Sequence, residues 1–287
     1  MTHYKLQPLI ERAERVLAQL EAWLPPVPPQ TDWSAYAFRW RKQGAQGWLE
    51  SIHHVAQITT DDLLHVDEQK QILMRNTEHF IQAKPANNVL MTGARGTGKS
   101  SLVRAMLFAF AEHGLRLVEV DKEDLMDLVD IIKLIENRPE RFIVFCDDLS
   151  FDAGEPGYKE LKSVLDGSIA APSDNVLIYA TSNRRHLMPE FMHENLNPST
   201  QAKEIHPGEA VEEKISLSER FGIWLSFYPF SQAHYLKIVN YWLNYFGCNI
   251  EQVNAAKKEA LQWALQRGSR SGRVARQFAQ DWAANHV

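Results

Sequence analysis

Apolar positions between residues 5 and 24 recur every three or four places: Leu6, Leu9, Ile10, Ala13, Val16, Leu17, Leu20 and Leu24. That spacing predicts an amphipathic helix, its stripe reading first as core and second as a partner surface. Pro25, Pro26, Pro28 and Pro29 end it and form a stiff connector. The pattern predicts a further helix within Asp61–Gln82, then an apolar strand, Val89-Leu90-Met91. A helix carrying Leu102, Met106, Leu107 and Phe110 follows, then a strand over Arg116–Asp121 and a helix over Lys122–Arg138. Strands over Phe142–Asp148, Asp174–Asn183 and Trp224–Phe230 complete a set of five, with Pro229 marking an edge or a strand end. From Ser231 the pattern is helical throughout: Tyr235–Phe246, Ile250–Arg267 and a last helix opening at Gly268. Strands alternating with helices at this spacing imply right-handed crossovers and a mostly parallel sheet. The expected fold is α/β, with a five-stranded parallel sheet sandwiched by helices. Residues 1–54 form a small helical extension, 55–230 the α/β domain and 231–287 a helical domain. Residues 188–214, with Pro189, Pro198 and Pro207, are the candidate mobile loop.

The 287 residues are 45% hydrophobic and 23% charged, with a net charge of −5. Those proportions suit a soluble globular chain able to bury a large core, and argue against a protein coated in basic charge. No apolar run approaches the roughly 18 residues needed to span a bilayer, and the first residues do not read as a signal peptide. With only Cys146 and Cys248, no disulfide framework is expected, and a reducing cytoplasm fits best. Between Trp33 and Trp48, aromatic residues interleave with Arg39, Arg41 and Lys42. Such a stretch can stack nucleic-acid bases, but packing of the rings against the domain, with the cations solvated, is the favoured reading.

The first chemical motif is Gly93-Ala94-Arg95-Gly96-Thr97-Gly98-Lys99-Ser100, between a strand and a helix. This is the phosphate-binding G-x-x-x-x-G-K-S pattern. Glycines let loop N–H groups turn inward on phosphate oxygens, and the following helix offers its positive end to the same anion. Lys99 is expected to reach the β- and γ-phosphates and Ser100 to ligate Mg²⁺, with Ser101 also among the phosphate-loop binding residues. The second motif is the strand end Asp147-Asp148. Asp147 is expected to hold Mg²⁺, and Asp148 to orient or deprotonate an attacking water. The third is Asn183, an amide at the next strand end, placed to hold that water or the γ-phosphate. Arg184, Arg185 and His186 follow it without a decided role.

Over roughly residues 55–287 these motifs, in this order, resemble the AAA+ ATPases. In wording the chain is similar to a bacterial ATP-binding family of unassigned function, through NVLMTGARGTGKSSLVRA, RFIVFCDDLSF, NVLIYATSNRRHL and EIHPGEAVEEKISLSERFG. The resemblance implies an ATPase using ATP and Mg²⁺, with residues 231–287 as its lid. It also implies a homo-oligomer in which Arg220 is an arginine finger given to a neighbour. Arg273 is implied as the nucleotide-sensing lid arginine, ahead of Arg270 and Arg276. Leu64 and His65 are implied to line the adenine pocket, with His65 where relatives tend to have glycine. Many relatives have Asp-Glu where this chain has Asp147-Asp148, which points to slow or partner-stimulated hydrolysis. The expected client is a protein or nucleic acid. A helicase-loader-like role, a small-molecule kinase and a non-hydrolysing nucleotide switch are the alternatives.

Overall fold

The computed structural model describes residues 7–21, 28–151, 156–167, 173–183 and 217–286. The loop expected over 188–214, and Arg184, Arg185 and His186, lie outside the described residues. Helix α1 spans Gln7–Glu21, and its Leu9, Ile10, Val16 and Leu17 are exposed.

The sheet has seven strands, not five, in the order β2-β1-β4-β5-β6-β3-β7. They are β1 (Ala37–Gln43), β2 (Gln46–Ile52), β3 (Val89–Gly93), β4 (Leu115–Val120), β5 (Arg141–Cys146), β6 (Val176–Ser182) and β7 (Ile223–Phe227). β3 to β7 are the five strands expected, all parallel, with β7 at an edge as Pro229 suggested. The difference lies in the N-terminal region, expected to be helical. Its residues 37–52 form an antiparallel hairpin, and β1 adds parallel to β4. The physical reason is that its charges have partners on β4 and just before the helix that begins at Leu128. Arg39 pairs with Glu119 at 2.6 Å, and Lys42 with Asp127 at 2.5 Å. Trp40 is 4% exposed and its indole N–H donates to Asp127. Trp33 lies under the Arg138 guanidinium, 3.7 Å from its ring centre, and packs on Phe38. Trp33 and Trp40 are thus engaged inside the fold, as the packing reading of this stretch expected.

Both faces of the sheet are covered, which is why its central strands read as unbroken apolar runs. Val89, Met91, Ile143 and Phe145 face one apolar cluster; Leu90, Phe142, Val144 and Cys146 face the other. The first cluster takes in α2 (Asp67–Ile81) and α3 (Lys99–Phe110), the second α4 (Leu128–Ile135) and α5 (Pro156–Asp166). Helices α6 (Gln232–Tyr245), α7 (Ile250–Gln266) and α8 (Gly272–His286) form the C-terminal helical unit. Its buried Tyr235, Val239, Leu243 and Phe278 join the first cluster, so apolar packing runs unbroken from sheet to lid. Tyr235 also donates to the Ala260 carbonyl, fixing α6 on α7. Among the described residues no helix is long and apolar enough to cross a membrane.

Candidate functional site

The phosphate loop joins β3 to α3, and β3 is paired on both sides, with β6 and with the edge strand β7. Two glycines are needed for their shape. Gly93 has φ +130°, and a Cβ there would lie 1.9 Å from the Phe227 carbonyl oxygen on β7. Gly96 has φ +72°, and a Cβ there would lie 2.8 Å from Ser271 Oγ, beside the lid helix α8. The loop closes on itself through Thr97, whose hydroxyl donates to the Ala94 carbonyl at 2.8 Å.

Lys99 opens α3 and is only 6% exposed. Its ammonium donates to the carbonyls of Gly93 and Ala94 at 2.7 and 2.9 Å and to Asn183 Oδ1 at 3.1 Å. Burial pushes its pKa down, opposed by the charges of Asp147 and Asp148. A desolvated cation lined by oxygen acceptors is a strong attractor for an anion of high charge.

Next to it, Ser100 Oγ donates to Asp147 Oδ1 at 2.7 Å. The Thr181 hydroxyl on β6 donates to the same carboxylate oxygen and accepts the Asp148 N–H at 2.9 Å. Thr181 thereby ties the ends of β5 and β6 together and sets the direction of both acids. Asp148 sits at φ +53°, a region that Asp tolerates better than most side chains. Asn183 Nδ2 donates to Asp148 Oδ1, and Arg95 approaches Asp148 Oδ2 at 3.4 Å.

These groups line one cleft of about 670 Å³ between sheet and lid. From the expected set it takes in Arg95, Gly96, Thr97, Gly98, Lys99, Ser100, Ser101, Asp147, Asp148, Asn183, Leu64 and Arg273. Leu63, Val66, Ile238 and Trp242 make its apolar end. Arg276, ranked behind Arg273 and Arg270 in the sequence, also lines it and lies 4.7 Å from the Trp242 ring centre; Arg270 does not line it. The lid docks directly on the phosphate loop, as the Gly272 N–H donates to the Gly96 carbonyl at 2.8 Å. Tyr241 of α6 donates to Asp62 at 2.6 Å. Burial works against ionisation of Asp62, but this bond and those from Thr59 win and hold its pKa below the usual value.

Four expected residues stand apart from the cleft lining. Gly93 and Ala94 act from beneath it, through the carbonyls that take Lys99. Arg220 lies elsewhere, ion-paired with Asp166 at the end of α5. His65, expected at the adenine pocket, is not part of the cleft wall: its ring stacks on His234 of α6, centres 4.0 Å apart. The cause is its backbone, at φ +61°, which turns the side chain toward the lid while Leu64 faces the cleft.

The stacked pair has a pH consequence. Burial lowers the His65 pKa, and the neighbouring His234, Lys237 and Lys70 add to this against the opposing charge of Asp67. The unfolded imidazole takes up its proton near pH ~6.5 while the folded one resists, so stability falls as pH drops through that value. We expect the melting temperature to fall between about pH 7.5 and 5.5. His65→Gly removes the imidazole and suits the left-handed backbone, and should flatten this slope. Melting curves across that range check it, and an unchanged slope in the variant would count against the assignment.

Sequence reasoning missed Thr181 and Trp242. Thr181 carried a signal, as part of the polar strand end Thr181-Ser182-Asn183. Trp242 carried none, since one aromatic among apolar helix positions reads as core.

The order β7-β3-β6-β5-β4, a phosphate loop after β3 and helices closing over the cleft make an α/β fold on a mostly parallel sheet. The chain belongs to the family described as "Protein of unknown function (DUF815)", which matches residues 33–286. Among solved structures, its fold is similar to a single-residue mutant of Thermotoga maritima RuvB, at 16% identity and TM-score 0.51. That match covers 79% of this chain and 65% of that one, a little under two thirds of its length. A second RuvB mutant matches at 16% identity and TM-score 0.50, covering 77% of this chain and 63% of that one. The FIGL-1 AAA domain in complex with ADP matches at 18% identity and TM-score 0.49, covering 80% of this chain and 74% of that one. A comparison with curated proteins finds no match.

Proposed function

We propose that this protein is a Mg²⁺-dependent ATPase that works as a homo-oligomer and couples hydrolysis to remodelling of a protein or nucleic-acid client. The observation that carries this reading is convergence. The Lys99 ammonium, the Ser100–Asp147 oxygen pair and the Asp148–Asn183 pair meet in one cleft, which ends in an apolar pocket beneath the lid. Ser100 and Asp147 offer adjacent hard oxygen donors, which fit a Mg²⁺ ion that also takes water and phosphate oxygens. Bound there, Mg²⁺ would neutralise charge on the β- and γ-phosphates. Lys99 binds those phosphates, the pocket around Leu64 and Trp242 takes the base, and Asn183 and Asp148 orient water. Asp148 accepts the proton of that water. Arg273 and Arg276 couple the lid to the phosphates. Arg220, outside this cleft, serves the cleft of a neighbouring subunit.

Titration calorimetry with ATP, in Mg²⁺ and in EDTA, tests the reading. Binding is expected in Mg²⁺, weaker in EDTA, and reduced at least about tenfold by Lys99→Ala, as befits loss of a buried charge-assisted contact. Equal affinity in all three experiments would remove the site assignment.

A second reading, a binding-only switch, draws on the contacts of Asp148. Both of its carboxylate oxygens are engaged, by Asn183 and by Arg95, so it must release at least one before it can hold water. Turnover at assembly-competent concentration separates the two readings.

A further inference from the structure

Four side chains run in an unbroken line within the phosphate cleft. The Lys99 ammonium donates to Asn183 Oδ1, Asn183 Nδ2 donates to Asp148 Oδ1, and the Arg95 guanidinium approaches Asp148 Oδ2 at 3.4 Å. Both ends of the line are cations, and both belong to the phosphate loop. Burial pushes the Lys99 pKa down, Asp147 and Asp148 oppose this, and Arg95 adds to it, so the two cations feel each other across the cleft. Like charges held this near favour an anion between them. The two acids are served unequally. Asp147 takes the hydroxyls of Ser100 and Thr181 and, with Ser100, makes the proposed Mg²⁺ site. Asp148 is ion-paired with Arg95 alone among the described residues. A terminal phosphate resting on Lys99 and Asn183 therefore meets a carboxylate whose cation is Arg95.

We propose that Arg95 is the residue by which this chain tells ATP from ADP: it leaves Asp148 to grip the γ-phosphate, a step that rests on the ATPase reading above. The strengths of the two contacts favour the exchange. The ion pair is exposed on both sides, at 78% and 53%, and such pairs contribute little. A guanidinium instead forks two parallel N–H bonds onto a phosphate, each roughly twice as strong as a neutral bond. The backbone need not move for this. The Ala94 N–H donates to the Phe227 carbonyl at 3.3 Å, and the lid's Gly272 N–H to the Gly96 carbonyl at 2.8 Å. The loop is thus pinned on either side of Arg95, and only the side chain turns. ADP brings no terminal phosphate to that place and leaves the Arg95–Asp148 pair intact. With ATP, the departing guanidinium uncovers one Asp148 oxygen beside the phosphate, and offsets the repulsion between that phosphate and the carboxylate.

The test is calorimetric titration of the full chain in Mg²⁺ with ADP and with the non-hydrolysable β,γ-imido analogue of ATP. Arg95→Ala is expected to weaken binding of the analogue about tenfold, the scale of one charge-assisted contact, and to leave ADP affinity as it is. Arg95→Lys, a point charge without the fork, should fall between Arg95→Ala and the wild type. An indirect cause has to be separated, because Arg95→Ala also leaves a bare carboxylate that repels the γ-phosphate. In the Asp148→Asn background that repulsion is gone, and the loss caused by Arg95→Ala is expected to persist there. Equal weakening of both nucleotides, no weakening of the analogue, or a loss that vanishes in the Asp148→Asn background would each overturn the proposal. Lys99→Ala keeps the two conclusions apart. If it weakens both nucleotides while Arg95→Ala changes neither, the nucleotide site stands and this inference falls; if the wild type binds neither nucleotide, both fall.

Discussion

Arg220→Ala is expected to bind ATP as the wild type does and to hydrolyse it about 10³-fold more slowly or worse, the loss that follows removal of an arginine finger. Arg220 is not part of the cleft wall of its own chain and pairs with Asp166 in the described structure. On the proposed reading it must therefore reach another subunit's γ-phosphate. Mixing supplies the decisive arrangement. Lys99→Ala subunits lack a working cleft but keep Arg220, and Arg220→Ala subunits have the converse defect. An equimolar mixture should regain activity that neither has alone, in step with a rise in molecular mass. The competing account is that Arg220 merely supports the fold through Asp166. Asp166→Asn isolates that contact: under the trans reading it lowers the melting temperature slightly at most and keeps turnover. A mixture that stays inactive, or an Asp166→Asn protein as dead as Arg220→Ala, would end the trans assignment.

Asp148→Asn should keep ATP affinity and lose about 10²- to 10⁴-fold in turnover, the usual contribution of a positioned base. The substitution keeps the shape of the side chain and the backbone bond to Thr181, which comes from the Asp148 N–H. What it removes is the capacity to take a proton. Because Asn183 and Arg95 already hold Asp148, Arg95→Ala gives an informative companion. Freeing the carboxylate should leave turnover equal or faster if that contact restrains the base. Rapid-quench measurement of phosphate release, paired with calorimetric affinity for the same proteins, reads both quantities. Wild-type turnover in Asp148→Asn would show that the proton goes elsewhere.

Much of the site was legible in the sequence because its chemistry is local. A phosphate loop needs its glycines, lysine and serine within eight consecutive residues, so Gly93 to Ser100 declared itself. Asp147 and Asp148 were legible because a strand buried on both faces leaves few polar positions, and two acids closing such a run stand out. That β3 to β7 run parallel followed from the spacing of strands and helices.

What the sequence left open was decided by partners distant along the chain. Arg39 and Lys42 read as solvated cations until β1 lay beside β4, where Glu119 on β4 and Asp127 at the start of α4, 80 and 85 residues later, pair with them. Charge pairing over that distance has no local signature, and so the hairpin at residues 37–52 went unread. His65 is placed by a backbone angle and by a ring on α6, and Arg276 by which face α8 turns to the cleft. The chain by itself determined the phosphate-loop motif and the parallel core, through short-range motif and periodicity. The tertiary structure alone decided the hairpin edge and the lid contacts, because each depends on groups that only packing brings within a few ångströms.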